Sequence, residues 1–180
     1  MNSKACISPI RARGLTLIEL AIAMAVVALV LGLAIPPLQE LLARQALGAG
    51  GMAWRDAHAL ARSHAIMQRV PTAICPSHDH QTCAGTRTWQ QGWMLFEDRD
   101  RNRARSPNER VLRVFNTLPN LDMRSTAGRQ VLTYHPNGRA DGSNLTMAIC
   151  HARLARIEGR RLIMSNSGRF RTEPLDCARP

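Results

Sequence analysis

A run of apolar residues from Leu15 to Ile35, interrupted by one charge at Glu19, limits what this chain can fold into more than any other feature. Its length suits a helix crossing a bilayer, for which roughly 20 apolar residues are needed. The segment before it, Met1–Gly14, carries Lys4, Arg11 and Arg13 and no acid, a bias that keeps this flank cytoplasmic and sends everything beyond Pro36 across the membrane. A secretory signal shares that polarity but has a shorter apolar core followed by small residues. Here Pro36, Pro37 and a helical pattern follow, which disfavours cleavage after the run. A carboxylate in hydrocarbon costs about 2.5–3.5 kcal/mol or more, so Glu19 marks a function and calls for a partner.

The residues around Glu19, Arg13-Gly14-Leu15-Thr16-Leu17-Ile18-Glu19-Leu20, resemble the type III (prepilin) signal. That resemblance implies a prepilin peptidase that cuts after Gly14 and methylates the amine of Leu15. It also implies that Glu19, the fifth mature residue, pairs with the N-terminal amine of a neighbouring subunit. Leu15 stands where the family more often has Phe and keeps the position apolar. Each charge of such a pair would relieve the burial cost of the other, so assembly is favoured over an unpaired monomer.

The rest of the 180 residues, 21% charged and 45% hydrophobic over the whole chain, suits one compact ectodomain. Leu38, Leu42, Ala46, Ala49, Ala53, Ala57, Leu60, His64 and Met67 recur at helical spacing and predict the face that packs on it. Pro36-Pro37 is expected to break or kink the helix. Gly48, Gly50 and Gly51 each weaken it by up to ~1 kcal/mol, as flexibility for filament packing or as drift without consequence. From Pro71 onward, short apolar or alternating runs predict strands at Thr72–Cys75, Trp89–Phe96, Val111–Phe115, Val131–Tyr134, Leu145–Cys150 and Arg161–Met164. Turn signals at Pro136-Asn137-Gly138, Asp141-Gly142 and Ser167-Gly168 favour an antiparallel sheet. The expected organisation is a leader (1–14), a transmembrane and assembly helix (15–36), an amphipathic helix segment (37–70) and a β-rich ectodomain (71–180). The fold class is α+β, a long helix packed on antiparallel sheet.

Taken in order, Ala61-Arg62-Ser63-His64-Ala65-Ile66, Ile74-Cys75, Gly92-Trp93-Met94-Leu95-Phe96-Glu97-Asp98, Glu109-Arg110-Val111-Leu112-Arg113, Tyr134-His135-Pro136-Asn137-Gly138, Ala148-Ile149-Cys150 and Ser167-Gly168-Arg169 resemble the FimT/GspH family of minor pilins and pseudopilins. The resemblance implies a single-pass inner-membrane protein with a periplasmic ectodomain, extracellular once built into a pilus. Its partners would be other pilins or pseudopilins and the assembly machinery. The family includes tip components of type IV pili and of type II secretion pseudopili, so two jobs stay open.

Net charge is +11, and loss of Lys4, Arg11 and Arg13 with the leader leaves +8. So basic an exported surface attracts polyanions such as double-stranded DNA. Arg160-Arg161 precedes Gly168-Arg169-Phe170-Arg171, which resembles the Gly-Arg-x-Arg motif associated with DNA binding in FimT-like pilins. By that resemblance Arg169 and Arg171 contact phosphates, Gly168 allows close approach, and Phe170 packs beneath the loop or stacks on a base. A solvated basic strand end, in a pseudopilin or in a purely structural subunit, is the competing reading.

Cys6 leaves with the leader, and Cys75, Cys83, Cys150 and Cys177 form an even set for an oxidising compartment. Of three connectivities, Cys75–Cys83 with Cys150–Cys177 is preferred. His78 and His80 admit a zinc alternative on spacing alone. Asp98, Asp100, Asn102 and Glu109 occupy positions one, three, five and twelve of an EF-hand-like loop. Arg103 stands where glycine is usual, and Arg99, Arg101 and Arg105 lower the negative potential, so a charged hairpin loop without metal is favoured. His58, His64, His135 and His151 are scattered, no catalytic set can be assembled around them, and neither an enzyme nor a cofactor is expected.

Overall fold

The computed structural model describes residues 14, 16–140, 142 and 144–178. Two units are present, one ending at Gln39 and one beginning at Glu40. A single helix, α1 (Leu17–Gln68), supplies the first and the start of the second. Its N-terminus is capped by Thr16, whose Oγ1 accepts the Glu19 backbone N–H at 3.3 Å. In the first unit the large side chains, from Leu17 at 88% exposed to Leu38 at 54%, are open all round. A helix with no polar face suits an apolar medium. The break expected at Pro36-Pro37 is not seen, because α1 is helical through both. The two prolines forgo bonds to the carbonyls of Gly32 and Leu33, while intact turns on either side sustain the helix.

In the second unit α1 buries Ala43, Leu47, Trp54, Ala57, His58, Ala61 and Ala65. Of these, Ala57 belongs to the predicted face, whose Ala46, Ala53 and Leu60 pack partly buried against the same core, so the fully buried stripe is offset from the predicted one by about one position. Leu38 and Leu42, which open the predicted face, are exposed. The real face is made of small residues that let the backbone approach, with Trp54 filling the space between. Gly50 belongs to it: a Cβ there would lie 2.6 Å from Leu121 Cδ1, so the glycine serves close packing rather than flexibility. The helix stops at Gln68, followed by Arg69 in the left-handed region (φ 56°) and then by Pro71.

Eight strands follow: β1 (Thr72–Pro76), β2 (Trp93–Glu97), β3 (Val111–Phe115), β4 (Leu121–Ser125), β5 (Leu132–Tyr134), β6 (Leu145–His151), β7 (Gly159–Met164) and β8 (Phe170–Leu175). They form two antiparallel sheets of order β3-β2-β1-β5 and β4-β6-β7-β8. Strands β1 and β2 are buried on both faces. Ile74, Trp93 and Leu95 join the core against α1, while Ala73, Cys75, Met94 and Phe96 make a second cluster with Cys83, Val114 and Val131. This double burial is why β1 and β2 read as continuous apolar runs. Strand β6 alternates instead, burying Leu145, Met147 and Ile149.

Trp89 was expected in a strand and lies before one. Gly92, at φ 116°, turns the chain there, and a Cβ on it would stand 2.8 Å from Phe115 O. Trp89 is nonetheless fully buried, its ring 4.6 Å from that of Trp54, edge to face. Trp93 meets Trp54 at 5.7 Å and stacks on Phe115 at 5.1 Å. Disulfides join Cys75 to Cys83 and Cys150 to Cys177. Both bridges take the cysteine sulfurs out of reach of a metal, which removes the zinc alternative built on them.

Candidate nucleic-acid interface and assembly segment

Of the residues implicated in processing, Gly14 is exposed and Leu15 lies outside the described residues, as do Met1–Arg13 with Cys6. Glu19 occupies the third position of α1 with an exposed side chain. Its backbone N–H is committed to the Thr16 cap, and its carboxylate belongs to the helix surface.

The basic motif forms the hairpin between β7 and β8. Ser165 and Arg169 close it, with Ser165 N–H donating to Arg169 O at 3.1 Å and Gly168 N–H to Ser165 O at 2.8 Å. Gly168 takes φ 77°, which a turn of this shape demands. Register then sorts the arginines. Ile163 pairs with Arg171, Arg161 with Glu173, and Arg160 with Pro174. Because side chains alternate along a strand, Arg161 and Arg171 share one sheet face and Arg160 takes the other. There Arg160 lines a hollow with Arg44, Leu47 and Glu158. The expected group is thus split: Arg169 and Arg171 border a common hollow with Ile163, Ser165 and Ser167, and Arg160 is not part of it.

Arg171 does not stand as a bare charge, since its Nη2 lies 2.8 Å from Glu173 Oε1. Phe170 faces inward, its ring 5.0 Å from that of His58 on α1, edge to face. Of its two expected roles, the structure displays the packing one.

Sequence reasoning missed the helix side of this region. A groove of 450 Å³ is lined by Arg55, His58, Arg62, Ile66, Tyr134 and Phe170, among others. A Cβ on Gly168 would lie 3.4 Å from Arg62 Nη1, so this guanidinium rests against the hairpin turn. Arg55 Nη2 donates to Thr172 Oγ1. The seven-residue spacing of Arg55 and Arg62, which puts both on one side of a helix, was the available signal. Beneath them His58 Nδ1 lies 2.9 Å from Tyr134 Oη, whose hydroxyl also donates to Met164 Sδ at 3.3 Å. Burial holds the His58 imidazole down to about 3 and pushes the Tyr134 phenol up. Neither group is suited to proton transfer near neutrality.

His64 and His151 occupy separate settings. His64 Nε2 meets Glu97 Oε1 at 3.0 Å, and His151 Nδ1 accepts the backbone N–H groups of Arg153 and Leu154.

One long helix, apolar all round at its start and carrying antiparallel sheets after it, defines an α+β pilin-like protein. The profile described as Type II transport protein GspH matches residues 53–168, and that of the prokaryotic N-terminal methylation motif matches residues 10–35. The chain belongs to the GspH family, whose members are pilin and pseudopilin subunits. It is similar in fold to the type IV minor pilin FimU of Pseudomonas aeruginosa, with 21% identity over 77% of this chain and 93% of that one and a TM-score of 0.54. The minor pseudopilin EpsH of the type 2 secretion system of Vibrio cholerae is similar at 12% identity over 71% of this chain and 95% of that one, TM-score 0.50. No curated protein sequence matches significantly. The apolar helix and the methylation motif together mark a membrane-anchored subunit.

Proposed function

We propose that this chain is a minor type IV pilin of the FimT kind, carried at the pilus tip, whose β7–β8 hairpin captures extracellular double-stranded DNA for uptake. The observation that carries this reading is the placement of Arg169 and Arg171 around one hollow, with Arg161 on the same sheet face. Arg62 extends the positive charge to the other side of the turn. Phosphate contacts of this kind give affinity without sequence preference. Affinity of the mature chain for duplex DNA is expected to fall with salt at a log–log slope near −0.9 per neutralised phosphate. Arg169→Ala should flatten the slope by about one contact, and Arg171→Ala by less, because Glu173 already occupies that guanidinium. Fluorescence anisotropy across a salt series decides it: no salt-sensitive binding, or wild-type binding by both variants, removes the DNA role.

A GspH-like pseudopilin is the second reading, favoured by the neutralisation of basic residues on the outer face of the second sheet. Arg124 pairs with Asp122 at 2.9 Å much as Arg171 pairs with Glu173. In that reading the face meets other subunits rather than a polyanion.

Both readings share the membrane end. Prepilin peptidase cuts after Gly14 and methylates Leu15, the positive flank stays cytoplasmic, and the unit from Glu40 faces the periplasm. Glu19 then meets the amine of a neighbouring subunit. Glu19→Ala is expected to insert normally yet be lost from sheared filaments, and the Thr16 cap survives because it uses the backbone N–H. Incorporation at the wild-type level would take Glu19 out of assembly.

A further inference from the structure

The loop joining β2 to β3 gathers three carboxylates. Asp98, Asp100 and Glu109 each bring an oxygen within 4.8 Å of the others. Asp98 is wholly buried and Glu109 is 6% exposed. Most of their oxygens have donors. Glu109 Oε1 accepts the Arg99 N–H at 2.7 Å and Oε2 the Ser106 N–H at 2.9 Å. Asp100 Oδ2 accepts from Asn102 Nδ2 and Ser106 Oγ, both at 2.8 Å, and Asp98 Oδ1 accepts the Arg103 N–H at 3.3 Å. Asp98 Oδ2 is the exception: it is buried and has no hydrogen-bond partner. An anionic oxygen in that position is costly unless a positive charge meets it.

The loop's own arginines are the obvious counterions, but three of them are engaged elsewhere. Arg99 reaches Glu97 Oε2 through Nε at 2.8 Å and Nη2 at 2.6 Å. Arg103 Nη2 donates to Val131 O at 2.9 Å, and Arg105 Nη1 to Gln81 O at 3.1 Å. Their charge weighs less against a cation than the sequence suggested. The second objection falls as well. Arg103, at the position where such loops usually need glycine, already adopts the left-handed conformation at φ 62°.

We propose that the β2–β3 loop is a calcium site, ligated by the carboxylates of Asp98, Asp100 and Glu109. The donor set is all oxygen, which suits a hard cation. A loop of main-chain turns with several carboxylates accommodates the large, variable coordination of calcium better than the strict octahedron of magnesium.

The test uses the mature full-length chain in detergent, stripped with EGTA and titrated with calcium chloride alone. The thermal midpoint is expected to rise by roughly 5–10 °C at a hundredfold excess over Kd. Asp98→Asn keeps the shape of the loop and removes one of three like charges. Its midpoint without calcium should equal or exceed that of the wild type, while the calcium response should weaken at least about tenfold in Kd. Glu109→Gln provides the same readout from the other end of the loop. A folded wild type that gives no response up to about 10 mM calcium, beyond the weakest loops of this kind, overturns the site. Responses of both variants equal to the wild type do the same, and an equal response to magnesium chloride overturns the assignment to calcium.

Discussion

Gly159→Ala is expected to leave little protein that is both folded and bridged between Cys150 and Cys177. A Cβ at this position would overlap Cys177 Sγ, stand 2.5 Å from Ile149 O and lie 3.1 Å from Cys150 Sγ. None of these atoms yields cheaply: the sulfurs are bonded to each other and the oxygen belongs to the backbone of β6. Overpacking costs about 1–3 kcal/mol if the bridge still closes. If it does not, loss of the disulfide adds about 2–5 kcal/mol, against a total stability on the order of 5–15 kcal/mol. Peptide mapping without reduction and urea unfolding measure the two parts. Combining the change with Cys177→Ala should recover some of the loss, since one sulfur is gone and only the backbone collision and the Cys150 contact remain. Full bridging with unfolding like the wild type would show that the strands part readily at this point.

Acid is expected to destabilise the second unit well before its carboxylates titrate. His58 is 1% exposed, flanked by Trp54 and Phe170, and held as neutral imidazole by burial, with its pKa lowered from 6.5 to about 3. The unfolded chain takes up a proton near 6.5 and the folded one resists until about 3. Stability from this group is therefore complete above 6.5 and is lost as pH falls toward 3, by roughly 4–5 kcal/mol at the bottom of the window. Arg55 and Arg62, lining the same groove, oppose protonation in the same sense. Glu97, where burial is outweighed by hydrogen bonds from Arg99 and His64, adds a loss of the same sign at lower pH. Asp79, held low first by the Thr82 hydroxyl, does likewise, while Asp98 has the opposite sign. Between 6.5 and the carboxylate range the slope belongs mainly to His58. Urea unfolding followed by tryptophan fluorescence should show that slope, and His58→Gln should flatten it while lowering stability at neutral pH. An unchanged slope in the variant would assign the acid loss elsewhere.

Much of the architecture could be read in the sequence because its causes are local. The first half of α1 follows from an unbroken apolar run and the second from apolar periodicity, though not their continuity through Pro36-Pro37; β1 and β3 follow from short apolar runs bounded by turn residues, and the β7–β8 turn from Ser167-Gly168. What escaped depends on tertiary context. Strand β8 carries Arg171, Glu173 and Pro174, the mark of an edge strand, and no strand was expected beyond Met164. Strand β4, with Leu121, Met123 and Ser125 buried and Asp122 and Arg124 more open, alternates but brings only two apolar side chains, Leu121 and Met123, to the core. The helix face was set about one position off because alanines recur on neighbouring stripes of α1, so periodicity alone does not choose between them. The arginines were grouped by adjacency in the chain, whereas in a strand adjacent residues point to opposite sides, and so Arg160 and Arg161 part company.

The first unit offers no preferred side. From Leu17 to Ile35 every flank of α1 is apolar, so rotation of this helix about its own long axis changes little in its contact with hydrocarbon chains. Lipid can fix the depth of such a rod but not its azimuth. Glu19, the one ionisable group in that stretch, breaks the symmetry. It makes one heading of this helix segment different from all the others, and a neighbour that holds this carboxylate would set the bearing of that segment in the membrane.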